Sequence, residues 1–198
     1  MIELDRSEIE SFLSSIGHGL HLCSIVPDGR RPGSCIGRWF GNDVVAATAW
    51  ACSENIQGKG IYWTVNLVLE GLHSKPGKDD ITAVRFAHVD IDPPKGGGPF
   101  DKVLKQAELL ALPVPPSLII DSGGGLQAFW RIVGPATLQA VEDVNINIAA
   151  HLGGDRCHSV DHLMRLPGSV NYPNKKKLNL GRVASLAKVI HDAGRIFH

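Results

Sequence analysis

Hydrophobic positions recur along this chain with two periods, and each change of period marks an element. Ile9, Phe12, Leu13 and Ile16 fall at helical spacing behind Ser7 and Glu10, which read as a capping box, and Gly17 supplies the stop. "LHLCSIV" (20–26) predicts a strand, "PDGRRPGS" an exposed turn and "DVVAATAWAC" (43–52) an apolar helix. "GIYWTVNLVL" (60–69) and "ITAVRFAHVDID" (81–92) are β-branched and aromatic, as strands are. Residues 99–112 predict an amphipathic helix with Val103, Leu104, Ala107, Leu110 and Ala111 on its apolar side. "PSLIID" (116–121) and "LQAFWRIV" (126–133) are strands joined by "SGGG". "PATLQAVEDVNINIAAHLGG" is a further helix, with Pro135 near its start and Gly153-Gly154 as its stop. "HSVDHLMRLPGSVN" and "GRVASLAKVIH" return to strand and loop. With no repeat, linker or low-complexity tract, the pattern describes one α+β domain.

One strand breaks its own rule. In "HVDID" the apolar Val89 and Ile91 interleave with Asp90 and Asp92. Residues two apart share a strand face, so the apolar pair enters the core and both carboxylates stand together on the other side. Two adjacent like charges raise each other's pKa unless a cation lies between them. Pro93-Pro94 ends the strand at once and a glycine-rich stretch, "KGGG", follows. Carboxylates so placed suit the hard ions Mg²⁺ or Mn²⁺, and a two-metal site asks for a third carboxylate.

Composition narrows the class. With 198 residues and 43% apolar content, the chain can bury a domain core, and no apolar run reaches transmembrane length. The polar, acidic start "MIELDRSEIE" does not resemble a signal peptide, and Cys23, Cys35, Cys52 and Cys157 form no C-x-x-C pair. Reduced thiols and a cytoplasmic location are therefore expected. Net charge is zero, which argues against a simple polycation that coats nucleic acid. The charge is uneven, however. Residues 1–155 carry 12 Lys and Arg against 18 Asp and Glu, whereas residues 156–198 carry 8 against 2. An acidic, cation-binding half and a basic segment facing phosphate would produce that split.

The glycine turn and the basic segment supply further chemistry. "SGGG" precedes a strand and not a helix, so it makes a hairpin and not a dinucleotide-binding turn. Gly123, Gly124 and Gly125 still allow close backbone approach, and their N–H groups can form an anion-binding concavity. "GGDRCHSVDHLMRLPGSVNYPNKKK" offers Asp155 and Asp161 as candidate third acids, Arg165 as a phosphate fork, and a lysine triplet. His158 and His162 lie in an extended run and read as supporting or surface residues.

Three blocks, "HVDIDPP", "DSGGGLQAFWRI" and "LMRLPGSVNYP", resemble in order and approximate spacing the archaeo-eukaryotic primase superfamily, especially the RepB-like and primase–polymerase domains of plasmids and phages. The "IYWTVN" strand with Asn66 is similar to that group's opening strand, and the likeness spans roughly residues 60–185. It implies an RRM-like catalytic module, a sheet with helices on one side, over residues 59–198, beside an N-terminal α/β unit over 1–58.

The resemblance also implies roles. Asp90 and Asp92 match the first metal-binding motif, and Asp155, or else Asp161, the third. Together they would hold two Mg²⁺ or Mn²⁺ ions. Ser122, Gly123, Gly124, Gly125, Gln127 and Arg165 would position an NTP or dNTP. Lys175, Lys176, Lys177 and Arg182 would track the phosphates of a single-stranded DNA template and primer. Gln127 departs from the family pattern, which usually has histidine there and so can place charge near phosphate. The implied activity is a nucleotidyltransferase that makes primers or extends DNA for plasmid or phage replication, with a replicative helicase domain or protein as a partner and no membrane. A metal-dependent nuclease and a catalytically silent nucleic-acid-binding module are the alternatives.

Overall fold

The computed structural model describes residues 2–29, 33–94, 100–194 and 196–197. The middle of the "PDGRRPGS" turn, the "KGGG" stretch and the first residue of the 99–112 helix lie outside them. In chain order the elements are α1 (Arg6–Ile16), β1 (Leu20–Ile25), β2 (Cys35–Gly41), α2 (Val44–Ile56), β3 (Gly60–Thr64), β4 (Leu67–Val68), β5 (Ile81–Ala83), β6 (Phe86–Ile91) and α3 (Lys102–Leu110). Then follow β7 (Leu118–Asp121), β8 (Leu126–Arg131), α4 (Leu138–Leu152), β9 (Leu163–Arg165), β10 (Val170–Asn171), α5 (Lys175–Asn179), β11 (Ser185–Leu186) and β12 (Lys188–Asp192).

Two four-stranded antiparallel sheets organise the core, in the orders β2-β1-β3-β9 and β12-β7-β8-β6. The first sheet joins strands from the N-terminal 58 residues to β3 and β9 from farther along the chain. Alternation in β6 divides the second sheet's two faces. Ala87, Val89 and Ile91 pack with Leu109 of α3 and Val141 of α4. Phe86, with Leu118, Ile120 and Phe129, joins the other core, which contains Trp63, Met164 and the apolar faces of α1 and α2. Trp63 is the hub there, its ring 5.8 Å from Phe86 and 5.3 Å from Phe129. Such aromatic pairs contribute about 0.5–1.5 kcal/mol each beyond burial. Asp90 and Asp92 share the face of Phe86, so the alternation carries them to the seam between the sheets.

Several local expectations shift for identifiable reasons. Asp5 and not Ser7 caps α1: its carboxylate accepts from the Glu8 N–H at 3.1 Å and from the Ser7 hydroxyl at 2.7 Å. The strand β2 carries no clear period in the sequence. It is an edge strand, and its Gly37 is required because a Cβ there would lie 2.0 Å from the Ser74 carbonyl oxygen. The runs 60–69 and 81–92 are each divided by one buried side chain. Asn66 accepts from the N–H groups of Arg85 (2.8 Å) and Phe86 (3.2 Å) and donates to the Val160 carbonyl (2.9 Å). Satisfying those groups by a side chain ends both ladders and leaves β4 and β5 as a separate pair.

The helix α3 is rotated from its expected orientation. Leu109 is its buried residue, while Val103 and Leu104 are 77% and 60% exposed and Leu110 also faces out. Two polar anchors fix that rotation: Gln106 donates to the Ile190 carbonyl, and Lys102 reaches Asp121. The lysine triplet, between the two stretches expected as strand and loop, forms α5, capped by the Asn174 side chain.

Candidate nucleotide and metal site

Asp90 sits in the middle of the seam, opposite Gln127 in the β6–β8 register. Its Oδ1 is buried and has no hydrogen-bond partner among the described residues. Burial pushes its carboxyl up to about 7, with the charges of Asp92 and Asp155 adding to the shift and the Gln127 amide opposing it. An acid so placed binds either a proton or a cation. Asp92 and Asp155 bring further hard-oxygen donors near Asp90, whose orphaned oxygen has the chemistry that Mg²⁺ or Mn²⁺ takes.

The two candidate third acids are placed differently. The Asp155 N–H donates to the Asp90 carbonyl at 2.8 Å, so the two residues are held side by side. Gly154 makes this approach possible, since a Cβ there would lie 2.4 Å from Val89 Cγ2. Asp161 instead accepts from the Ser159 hydroxyl, and its charge bears on Lys78 and His162.

The "SGGG" hairpin stands against the end of β6. Ser122 is spent on the turn itself: its hydroxyl accepts from the Gly125 N–H at 3.0 Å, and its own N–H donates to the Gly125 carbonyl. Two of the three glycines are required, for different reasons. Gly123 has φ +84°, in the left-handed region, and a Cβ at Gly125 would lie 2.3 Å from the Ile91 carbonyl and 2.8 Å from Asp92 Oδ1. At Gly124 the nearest atom would be the flexible Arg182 Nη1, at 3.1 Å. The turn is braced from outside by Lys102, whose Nζ donates to Asp121 Oδ1 (2.6 Å) and the Gly123 carbonyl (3.2 Å), and by Asn171, which donates to the Ser122 carbonyl (2.8 Å).

A cavity of about 280 Å³ opens beside this turn, lined by Gly123, Gly124, Asn171, Lys177, Arg182 and Ser185 among others. Arg182 Nη1 is 4.0 Å from Asp92 Oδ1, so the cavity adjoins the acid pair. The expected basic group is therefore divided in space. Lys177 and Arg182 belong to the cavity, whereas Lys175 and Lys176 line a separate hollow with Asp28 and Asn179.

Arg165 and Gln127 lie deeper. Arg165 is 7% exposed, stacked on the Tyr62 ring at 4.1 Å and donating to the Tyr62 hydroxyl at 2.6 Å. Its buried Nη1 has no partner among the described residues and lies over Gly60, where a Cβ would come within 2.6 Å. Burial lowers the guanidinium pKa, and the charges of Tyr62, Asp90 and Asp92 oppose that. Gln127, 5% exposed, accepts from the Arg165 backbone N–H at 3.1 Å. It stands between Asp90 and β9, and does not line the phosphate-sized cavity.

Sequence reasoning passed over Tyr62, Lys102 and Asn171. Tyr62 and Asn171 lie inside the quoted blocks "IYWTVN" and "LPGSVNYP", but nothing in spacing tells a bracing side chain from any other polar residue. Lys102 reads as one more charge on a helix.

No family model and no curated protein matches the sequence. Solved structures do match. The archaeo-eukaryotic primase domain of the cyanophage S-2L primase–polymerase superposes with a TM-score of 0.69 at 18% identity, covering 99% of this chain and 95% of that one. Primase RepB′ matches with a TM-score of 0.66 at 15% identity, covering 96% of this chain and 57% of that one. Its catalytic domain, solved in complex with initiator DNA, matches at 0.65 and 15% identity over 96% and 86% of the two chains. The fold is that of the archaeo-eukaryotic primases and primase–polymerases. Among the described residues no helix is long and apolar enough to cross a membrane.

Proposed function

We propose that this protein is a metal-dependent nucleotidyltransferase that makes primers or extends DNA on a single-stranded template. The observation that carries the reading is the contact between two half-sites: Asp92 belongs to the acid pair and also borders the cavity of Gly124, Lys177 and Arg182. A nucleoside triphosphate needs both, since its phosphates must be held while their charge is neutralised. The primase fold supports the same conclusion.

Asp90, Asp92 and Asp155 would hold Mg²⁺ or Mn²⁺. Bound there, such ions supply charge neutralisation and a lowered pKa for the attacking 3′-hydroxyl. The chain's own residues do the rest. Lys177 and Arg182 bind the triphosphate from the open side, and the Gly124 backbone lets it come close. Arg165, clamped by Tyr62, keeps a fixed positive charge beneath the acids. Gln127 fixes the relative position of Asp90 and β9. Lys175 and Lys176, on their own surface, are free to follow template phosphates, a sequence-blind and salt-sensitive contribution.

Primer extension and de novo synthesis on single-stranded templates, with Mg²⁺ or Mn²⁺ and either NTPs or dNTPs, test the reading. The wild type elongates or initiates, and Asp92→Asn does not. Template shortening that needs metal but no nucleotide would identify a nuclease instead. Template binding with neither reaction would identify a silent module.

A further inference from the structure

The side of Asp90 away from the glycine turn carries a donor set of different chemistry. Single ligand atoms of Asp90, Cys157 and His162 all lie within 4.8 Å of one another. The geometry points to a second metal site there, built from oxygen, sulfur and nitrogen donors for a zinc-class ion (Zn²⁺, Co²⁺ or Cd²⁺), which shares Asp90 with the carboxylate set.

Two observations support it beyond proximity. The backbone of the loop that carries Cys157 and His162 is held at four residues by groups from the surrounding core. His88 Nε2 bonds the Cys157 carbonyl (2.9 Å), and Asn145 donates to the His158 carbonyl (3.0 Å). Glu142 accepts from the Val160 N–H (3.1 Å), and Asn66 donates to the Val160 carbonyl (2.9 Å). Val65 donates to the His162 carbonyl, and the His162 ring stacks on His88 at 5.8 Å. The backbone that carries the donors is thus held before any ion arrives, and the stacking on His88 orients the His162 ring. The second observation is Asp90 itself, whose Oδ1 is buried and unpartnered among the described residues.

The chemistry separates this set from the hard-oxygen site. Thiolate and imidazole favour zinc-class ions over Mg²⁺, and three protein ligands leave a fourth position for water. On binding, the Cys157 thiol gives its proton to solvent and the thiolate takes up the metal bond. An ion seated there draws on the Asp90 carboxylate that the proposed reaction uses. Zinc occupancy should therefore oppose synthesis, a consequence that rests on the nucleotidyltransferase reading, whereas binding itself does not.

The test is a Co²⁺ titration of the metal-free protein in excess Mg²⁺, followed by near-ultraviolet thiolate-to-cobalt absorption. One equivalent should give the band, and Zn²⁺ should erase it by displacement. Cys157→Ser should lose the band while keeping the wild-type circular dichroism spectrum, and His162→Ala should bind Co²⁺ at least about tenfold more weakly. The variants also report on the other thiols, Cys23, Cys35 and Cys52. An unchanged band in Cys157→Ser, no band in the folded wild type, or equal affinity in His162→Ala overturns the site. If Cys157→Ser does not fold, Cys157→Ala with the His162→Ala titration decides in the same way. In primer extension, Zn²⁺ should inhibit the wild type at concentrations that spare Cys157→Ser. An inactive wild type that still shows the band would refute the enzymatic reading and leave the site standing.

Discussion

Asp90→Asn should stabilise the metal-free protein at pH 8 while abolishing synthesis. The carboxyl titrates near 3.8 in an unfolded chain and at about 7 in the fold, chiefly because it is buried. A raised folded pKa means that the native state holds its proton more tightly than the unfolded state does. The fold is thus penalised increasingly as pH climbs from about 4 to 7, and the penalty is constant above that. Each pKa unit corresponds to about 1.36 kcal/mol, so the full shift amounts to about 4 kcal/mol. Partial solvent contact of Asp90 reduces this to roughly 2–4 kcal/mol. Urea unfolding of wild type and variant in chelator, at pH 4 and pH 8, measures it. The variant should unfold at higher urea at pH 8, and the gap should nearly close at pH 4. Adding Mg²⁺ or Mn²⁺ at pH 8 should stabilise the wild type alone. A stability difference that is the same at both pH values, or a variant weaker than wild type at pH 8, would refute the assignment of a strained, cation-seeking carboxylate.

Gly125→Ala should cost roughly 1–3 kcal/mol and weaken triphosphate binding, because its Cβ meets the Ile91 carbonyl and Asp92. Gly124→Ala meets only the end of Arg182, so its melting temperature should stay near wild type. Asp155→Asn should raise the Mn²⁺ concentration for half-maximal extension at least about tenfold, while Asp161→Asn leaves it unchanged; the reverse order in a metal titration would exchange their roles. Gln127→Ala strands the Arg165 backbone N–H and should lose about 1–3 kcal/mol in urea unfolding. Lys177→Gln and Arg182→Gln should weaken triphosphate binding by calorimetry, whereas Lys175→Gln with Lys176→Gln should flatten only the salt dependence of single-stranded DNA binding.

The strand β6 was legible because a period of two writes its own partition: Val89 and Ile91 inward, Asp90 and Asp92 on the opposite face. The hairpin was legible because three glycines between two apolar runs leave the backbone few other choices. Ordered motif blocks were enough to suggest the primase fold at a level of similarity where sequence matching finds nothing. What the sequence could not hold is anything decided by a partner distant in the chain. Asn66 ends two strands by bonding residues up to 94 positions away, and no local propensity records that. The apolar stripe of α3 suggested its inner face, yet Lys102 and Gln106 turn Val103 and Leu104 outward by anchoring to β7 and β12. The basic segment read as one group because four cations lie close in sequence. Folding α5 sends Lys177 and Arg182 to the acid pair and Lys175 and Lys176 to another surface. The sequence by itself determined which residue types were available and which strand faces they share. Only tertiary structure decided which groups meet, because that depends on desolvation and on long-range hydrogen bonds formed when the two sheets close on each other.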